Sequence, residues 1–469
     1  MSTSRMTDSG TAAPAASAQA SPRILIVADD LTGGNACGAL FAEAGLRTIT
    51  VTETSPAGSI ESSGLLDDFD AVVVNTDSRH LAPRQASELY TNLIESAGTV
   101  DHVACRIDTT LRGNVGPAAA AAIAARRQAL SESGSPHHRV LGLCVPAFPA
   151  AGRTTVQGRQ LLGGRLLEHT ELAYDVRFPM RTSVIEEILA VGTDLDSRLI
   201  DIATVLAGRD AVRTAVLDAI GEGADVLIAD ALTTDHIDLV GSVIAEITQD
   251  IAEAADPDAR DRAGLADGEQ LDWVSIDPGP GSLALALSRL PARADGVLLG
   301  ISGSATEVTR SQLATVAEDP TVTVLRVPVD DAGLPDVEAT LALIDRTASA
   351  RAIIIATVLE TSDLRELTDA ESEQTTQRLA LIASTIMSAL PISGLYTTGG
   401  DVTATVMREL GAMGMEIDKE IVPLAVGGRL VGGHAAGLPI VTKGGLIGDA
   451  GTAVECLEFL STTARVRRD

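Results

Sequence analysis

The sequence predicts an α/β protein: two α/β domains with mainly parallel sheets and an active site in the cleft between them. Three observations carry that expectation. Short aliphatic runs alternate with helix-like stretches along the chain. Of the 469 residues, 45% are hydrophobic but only 2% aromatic, so the cores must be built from Ala, Val, Leu and Ile. The alternation also breaks at one polar, acidic stretch and then restarts. Val- and Ile-rich runs set between helices are the pattern of parallel strands covered on both faces.

Each element follows in chain order. Residues 1–21, "MSTSRMTDSGTAAPAASAQAS", are rich in Ala, Ser and Thr and lack the apolar core of a signal peptide, so they are expected to form a disordered tail. "RILIVAD" precedes the helix-like "NACGALFAEAG". "DAVVVNTD" precedes "APRQASELYTNLIESAG", and "HVACRIDTT" precedes "VGPAAAAAIAARRQAL". "VLGLCVPAF" and "ADVLIADAL" continue the series over a first domain at 22–251. Three strands there end in Asp29, Asp77 and Asp108, and neighbouring strands would bring these to one crevice. "AEAADPDARDRAGLADGEQ", residues 252–270, has no apolar stripe and is the expected linker. "DGVLLGISGSAT", "TVTVLRVPV", "RAIIIATVL", "GLYTTGGD" and "GLPIVTKGG" then supply the strands and turns of a second domain at 271–463.

Composition excludes several classes of function. A formal net charge of −29 repels a phosphate backbone, and so few aromatics offer no platform for stacked bases, so no nucleic-acid partner is expected. No stretch approaches an uninterrupted membrane span, so no membrane partner is expected either. Cys37, Cys105, Cys144 and Cys456 are scattered without a Cys-x-x-Cys pair, which fits reduced thiols in a cytoplasmic protein. The seven histidines have no metal-ligand spacing, and only His80 and His434 lie near a motif. No Gly-x-Ser-x-Gly elbow points to a hydrolase.

Two groups of motifs remain. In the second half, "SGSAT" (302–306), "TTGGD" (397–401) and "TKGGLIGD" (442–449) are glycine turns after strands. Glycine lets backbone N–H groups approach phosphate oxygens, and Ser and Thr hydroxyls add donors. Three such turns in one domain point to a nucleotide site, although none is a Walker or a Rossmann sequence. In the first half, "NTDSRHL", "RIDTTLRGNVG" and "VPAFPAAGRTTVQG" place Arg79, Arg112 and Arg153 in polar turns beside strand ends, where guanidinium groups can grip a carboxylate. "DTTLRGN" gathers an acid, two hydroxyls, a cation and an amide, a mixture suited to a polyhydroxylated acid.

Together with "ADDLTGG", "GRTTVQGRQLLGG", "SGSATEVTRSQ" and "IVPLAVGGRLVGGHAAGLPIVTKGGLIGD", these blocks resemble the four-carbon acid sugar kinase family from about Arg23 to Leu460. The resemblance implies a sugar-acid domain followed by a nucleotide domain. It further implies transfer of the ATP γ-phosphoryl group to the terminal (C4) hydroxyl of threonate, erythronate or a 3-oxo-tetronate, with ATP and Mg²⁺ as cofactors. Carried over by position, the family's first-strand Asp pair falls on Asp29 and Asp30 and its Lys/Arg-Ile-Asp-Ser/Thr-Thr-Leu-Arg-Gly block on Arg106 to Gly113, so that with the arginines of the polar turns the acid is expected on Asp29, Asp30, Arg79, Asp108, Arg112 and Arg153. The resemblance likewise places the nucleotide on Ser302, Ser304, Thr306, Gly399, Gly400, Asp401, Gly444 and Gly445. Asp401 could contact the metal, and either Asp401 or the Asp29/Asp30 pair could take the proton of the acceptor hydroxyl. The chain departs from the family pattern at Val402, where a Thr is usual, so one hydroxyl near the phosphates is missing. "GNACG" and "KGGLIG" are further departures. A small-molecule acid is the expected partner, with room for a homo-oligomer. The competing readings are a non-catalytic sugar-acid or nucleotide sensor of the same fold and, against the missing fingerprint, a dehydrogenase.

Overall fold

The first half of the chain supplies β1 (Ile24–Ala28), β2 (Thr48–Val51), β3 (Ala71–Asn75), β4 (His102–Arg106), β5 (His138–Cys144), three short strands β6 (Arg153–Val156), β7 (Arg159–Leu162) and β8 (Arg165–Leu166), then β9 (Ser197–Ile200), β10 (Val226–Ala229) and β11 (Gln270–Asp277). Apart from β6–β8, which form their own antiparallel meander, these strands make one sheet in the order β2-β3-β1-β4-β11-β5-β10-β9. Every pairing in that sheet is parallel. The computed structural model describes residues 22–52, 62–134, 137–290, 296–344 and 350–464, so the expected tail at 1–21 lies outside the described residues.

The aliphatic pattern explains the sheet. Leu25, Ile26 and Val27 of β1 have no exposed surface, because helices cover both faces of the sheet. Each such side chain contributes roughly 1.5–3 kcal/mol of hydrophobic stabilisation. Leu25 and Val27 face one core and Ile26 the other, as the two-residue period of a strand requires.

The expected linker at 252–270 is corrected by the structure. The helix Thr234–Glu253 runs into this stretch, and a second helix, Pro257–Arg262, follows it. β11, expected to open the second domain, lies between β4 and β5 at the centre of the first sheet. The helix Pro280–Arg289 then packs beside the helix Thr234–Glu253, so the first domain extends to about residue 290. Pro257–Arg262 buries only Ala259 and is started by the Asp256 side chain, which accepts from the Ala259 N–H. So short a buried face leaves no stripe to read.

The second sheet contains β12 (Val297–Ser302), β13 (Val322–Arg326), β14 (Ala352–Ala356), β15 (Ile392–Thr398), β16 (Gly414–Val422), β17 (Ala425–Val431) and β18 (Pro439–Lys443), in the order β13-β14-β12-β15-β18-β17-β16. It is parallel except for the β16–β17 and β17–β18 pairings.

Both sheets contain a switch point. In the first, β1 connects towards β2 on one side, while its neighbour β4 connects towards β5 on the other. In the second, β12 leads to β13 on one side and its neighbour β15 leads to β16 on the other. Loops that diverge from neighbouring strands leave a crevice at the carboxyl ends, where open α/β sheets bind ligands.

Candidate active site

At the first switch point, β1 ends in the adjacent Asp29 and Asp30. Two side-by-side carboxylates repel, and here two guanidinium groups offset the repulsion. Arg79 Nε donates to Asp29 Oδ2 at 2.7 Å and its Nη2 to Asp29 Oδ1 at 3.0 Å, with a further contact to Asp30 Oδ2. Arg106 Nη1 donates to Asp29 Oδ1 at 2.9 Å and to Asp30 Oδ2 at 2.8 Å. The lattice continues from Arg79 to Asp108, 3.3 Å away, and from Asp108 to Arg112, whose Nε and Nη2 donate to it at 2.9 and 3.1 Å. Thr110 Oγ1 also donates to Asp108, at 2.5 Å.

Backbone geometry fixes these groups. Asp30 caps the helix Leu31–Glu43 by accepting from the Gly33 N–H. A Cβ on Gly33 would lie 1.7 Å from Arg106 Cζ, so the Thr-Gly-Gly turn is glycine here because a guanidinium lies across it. Arg106 is the last residue of β4, and its side chain is only 5% exposed.

The two neighbouring carboxyls are pushed in opposite directions. Burial dominates at Asp29 and raises it above the ordinary carboxylate value despite Arg79. At Asp30 burial also acts upwards, but the Gly33 N–H and Arg79 together bring the group below it. Asp108 feels the same burial, which its hydrogen bond from Arg112 and the charge of Arg79 overcome, holding it at about 2.

Two expected residues stand outside this lattice. Asp77 is exposed, in a left-handed backbone conformation at the start of the short turn Ser78–His80. Arg153 sits on β6 and contacts the Ala151 carbonyl, while its Nε is buried without a partner. No hydrogen bond or ion pair among the described residues joins Arg153 to the aspartates. Its hairpin is nevertheless held against the Asp108 loop, because Gln160 Nε2 donates to the Thr109 carbonyl at 2.8 Å. Arg106 opens the family block Arg106–Gly113 but is not among the expected ligands, and a cation ending an apolar strand is the signal that marks it.

The second switch point is built from turns. Ser302 at the end of β12 pairs with Thr398 at the end of β15. Ser302 Oγ is buried without a hydrogen-bond partner among the described residues, and Thr398 Oγ1 lies beside the Tyr396 hydroxyl. Gly399 has φ +106°, and a Cβ on Gly400 would meet no atom within 4 Å, so this turn faces open space. Asp401 follows in the first turn of the helix Gly400–Glu409. It is exposed, and its carboxylate has no hydrogen bond or ion pair among the described residues.

The first and last glycine turns are clamped together. Thr306 Oγ1 and Thr309 Oγ1 donate to the Gly445 carbonyl at 2.5 and 2.8 Å, and Ser304 Oγ lies 3.0 Å from Thr309 Oγ1, within hydrogen-bond reach. A Cβ on Gly445 would lie 2.3 Å from Ser304 Oγ. Thr306 thus holds the turn in shape as well as capping its own helix. Lys443, also absent from the sequence-derived set, ends β18 with its Nζ donating to the Gly444 carbonyl at 2.8 Å. Burial lowers its pKa, and no carboxylate among the described residues pairs with it.

Val402 stands where the expected hydroxyl is missing. It is 3% exposed and packs under Gly303, where an added Cβ would lie 2.3 Å from Val402 Cγ2. The residue at this position faces the interior and not the open side of the turn.

These arrangements have distinct chemical capacities. The charged lattice offers guanidinium and carboxylate groups to an acid bearing hydroxyls. The turns offer the Ser302 hydroxyl, a buried ammonium and helix N-termini to phosphate oxygens, which fits a nucleoside triphosphate. An exposed carboxylate beside such a turn suits Mg²⁺, which is commonly held by one or two carboxylates plus substrate phosphates. No helix of the described residues is long and apolar enough to cross a membrane.

The family models that match describe a sugar-binding N-terminal domain, over residues 24–267, and a nucleotide-binding C-terminal domain, over residues 299–453. Among curated proteins, the chain is 32% identical to a D-erythronate kinase of Heliobacterium modesticaldum, over 94% of this chain and 97% of that one. It is 29% identical to a D-threonate kinase of Salmonella typhimurium, over 93% and 98%. Among solved structures, a domain of unknown function from Bordetella bronchiseptica, crystallised with citrate as a domain-swapped dimer, superposes with a TM-score of 0.69 at 24% identity, covering 96% of this chain and 100% of that one.

Proposed function

The chain belongs to the four-carbon acid sugar kinase family, and on that premise we propose that it transfers the γ-phosphoryl group of ATP to the terminal C4 hydroxyl of a four-carbon sugar acid. The observation that carries this reading is the pairing of two switch points of complementary chemistry, a charged lattice on one sheet and open glycine turns on the other. Transfer requires the two carboxyl edges to be brought together around the two substrates.

Exposure divides the labour among the arginines. Arg112 is 29% exposed and holds Asp175 at 3.4 Å, a weak contact that a substrate carboxylate replaces. Arg106, at 5%, stays on Asp29 and Asp30 and positions them. Asp29, Asp30 and Asp108 then orient the hydroxyls of the acid. Their oxygens are already engaged by arginines and N–H groups, whereas Asp401 is unengaged. Asp401 is therefore the group we assign to the proton of the acceptor hydroxyl or to the metal. When bound, Mg²⁺ would neutralise the charge on the β- and γ-phosphates. Gly399, Gly400 and Gly445 provide backbone approach to those phosphates.

Against a non-catalytic sensor stands the intact Gly399-Gly400-Asp401 turn, with an exposed carboxylate beside open space. All four cysteines are buried and unpaired, in keeping with a cytoplasmic enzyme. A homo-oligomer belongs to the same proposal and is checked by light scattering. The deciding test is ADP release with Mg·ATP over D- and L-threonate, D- and L-erythronate and their 3-oxo forms. Turnover with at least one acid supports the reading, and none with folded protein overturns it.

A further inference from the structure

The loop that carries Arg112 is strained. Residues 108–111 form a tight turn, closed by the Leu111 N–H donating to the Asp108 carbonyl at 2.9 Å. Leu111 has φ +62° although it is a bulky residue only 2% exposed. A side chain of that size in the left-handed region is unfavourable and persists only where its surroundings over-determine it. From within, Asp108 holds the loop through Thr110 and Arg112. From outside, the grip comes from Gln160 on β7.

Gln160 has no exposed surface. Its Nε2 donates to the Thr109 carbonyl at 2.8 Å and to the Pro146 carbonyl at 2.9 Å, and its Oε1 accepts from Thr155 Oγ1 at 3.0 Å. Two carbonyls on one side of the amide and a hydroxyl on the other fix its orientation. The Gln160 backbone N–H donates to the Ser183 carbonyl at 2.9 Å, which ties β7 to the segment bearing Asp175, the second carboxylate on Arg112. One residue thus steadies both the turn that carries Arg112 and the segment that faces it.

We propose that Gln160 is a positioning residue of the acid site: by clamping the strained turn at Thr109 it keeps Arg112 aimed and sets the affinity for the acid. The proposal rests on reading the first domain as the acid site and deepens it by naming what tunes that site. An amide that only sewed the meander to the sheet would need no more than the Pro146 carbonyl beyond β5. Its second N–H instead meets the carbonyl next to Asp108, inside the turn where Leu111 is strained. Without that bond Leu111 relaxes towards negative φ, and only a fraction of molecules present Arg112 correctly. The apparent KM for the acid then rises by the inverse of that fraction, whereas kcat, which reports the bound form, does not.

Steady-state kinetics with the acid, and isothermal titration with ATP, test this on two variants. Gln160→Met keeps length and packing without hydrogen bonds, and Thr155→Val keeps shape but frees the amide to turn. The KM for the acid should rise about tenfold in the first and about two- to threefold in the second. In both, kcat should stay within about twofold and ATP affinity should be unchanged. Wild-type KM values in both variants overturn the proposal. So does a loss of ATP affinity or of kcat as large as the change in KM, since the amide then serves the fold at large. Should Gln160→Met fail to fold, Thr155→Val decides alone. A folded wild type that turns over no four-carbon acid overturns the kinase reading first, and the role of Gln160 with it.

Discussion

At the ends of β1 and β4, three carboxylates and three guanidinium groups pair with one another before any ligand arrives, and Arg106 Nε is the buried nitrogen they leave without a partner among the described residues. At the ends of β12 and β15, by contrast, the buried Ser302 hydroxyl has no partner among the described residues, a glycine faces open space and the exposed Asp401 carboxylate makes no hydrogen bond or ion pair with them. The two crevices occupy equivalent places in their sheets, so topology does not cause the difference. Ligand chemistry accounts for it. A small hydroxylated acid must be gripped by charges, and charges held in a partly buried crevice need partners in its absence. A polyphosphate brings its own charge and is met by backbone dipoles, which can wait unpaired at lower cost. The first site is therefore coupled to stability of the fold, and the second is coupled mainly to binding.

The largest effect is expected at Arg106. Arg106→Met leaves Asp29 and Asp30 side by side with one guanidinium fewer. Breaking such a buried pair costs on the order of 3–5 kcal/mol, so the first domain should melt markedly earlier and turnover should vanish. Arg106→Lys restores a charge and should recover much of the stability. Differential scanning calorimetry on both variants checks this. A melting profile unchanged by Arg106→Met would break the contrast between the two crevices.

Asp401→Asn tests the opposite crevice. The side chain makes no contact among the described residues, so the melting temperature should remain within experimental error of the wild type. Loss of the proton acceptor or metal contact should lower kcat by at least ~10²-fold. Turnover like the wild type would return the base role to the Asp29/Asp30 pair.

A third pair of variants sharpens the division of binding. Arg112→Ala should raise KM for the acid by roughly tenfold or more, in line with about 1.5–3 kcal/mol for a charge-assisted hydrogen bond, without changing ATP affinity. Gly400→Val should do the reverse. Because a Cβ there meets no protein atom within 4 Å, weakened ATP binding would come from contact with the ligand and not from damage to the fold. Calorimetric titration of each variant with each ligand gives the four values needed.

The sequence made most strands legible because buried parallel strands are aliphatic runs, as in "ILIVA" and "AIIIA". Their order was not legible. β11 follows an acidic, polar stretch, and nothing local reveals that Trp273 is buried in the first domain, donating to Thr248. Motif residues Asp29, Asp30, Arg79, Asp108 and Arg112 were all identified and are brought together by the fold. Arg106 and Lys443 were missed for one shared reason: a cation at a strand end resembles a boundary with solvent, and only the third dimension shows that it is enclosed. Val402, next to Asp401 on the helix, points about 100° away from it, here into the core, a direction that its neighbour's motif does not reveal.

The smallest expected effect concerns pH. Asp108 is held at about 2 in the folded protein against an ordinary 3.8, because Arg112 and Arg79 favour its charged form over the cost of burial. As pH falls, the unfolded chain therefore takes up this proton before the folded one does. The stabilisation is complete above about pH 4 and is lost as pH approaches 2, amounting to about 2 kcal/mol for a single group. Asp108→Asn removes the titration, so the wild type's advantage over the variant should shrink across that interval and remain flat above it. Denaturant unfolding at pH 7, 4 and 3 measures the trend. Asp29 has the opposite sign. Burial raises its folded value, so its protonation on acidification favours the folded state, and an Asp29→Asn comparison should show a difference moving the other way. Opposite slopes for two carboxylates in one lattice would distinguish the charge-paired Asp108 from the burial-dominated Asp29. Parallel slopes would mean that Arg79 controls both, and that the lattice titrates as one unit.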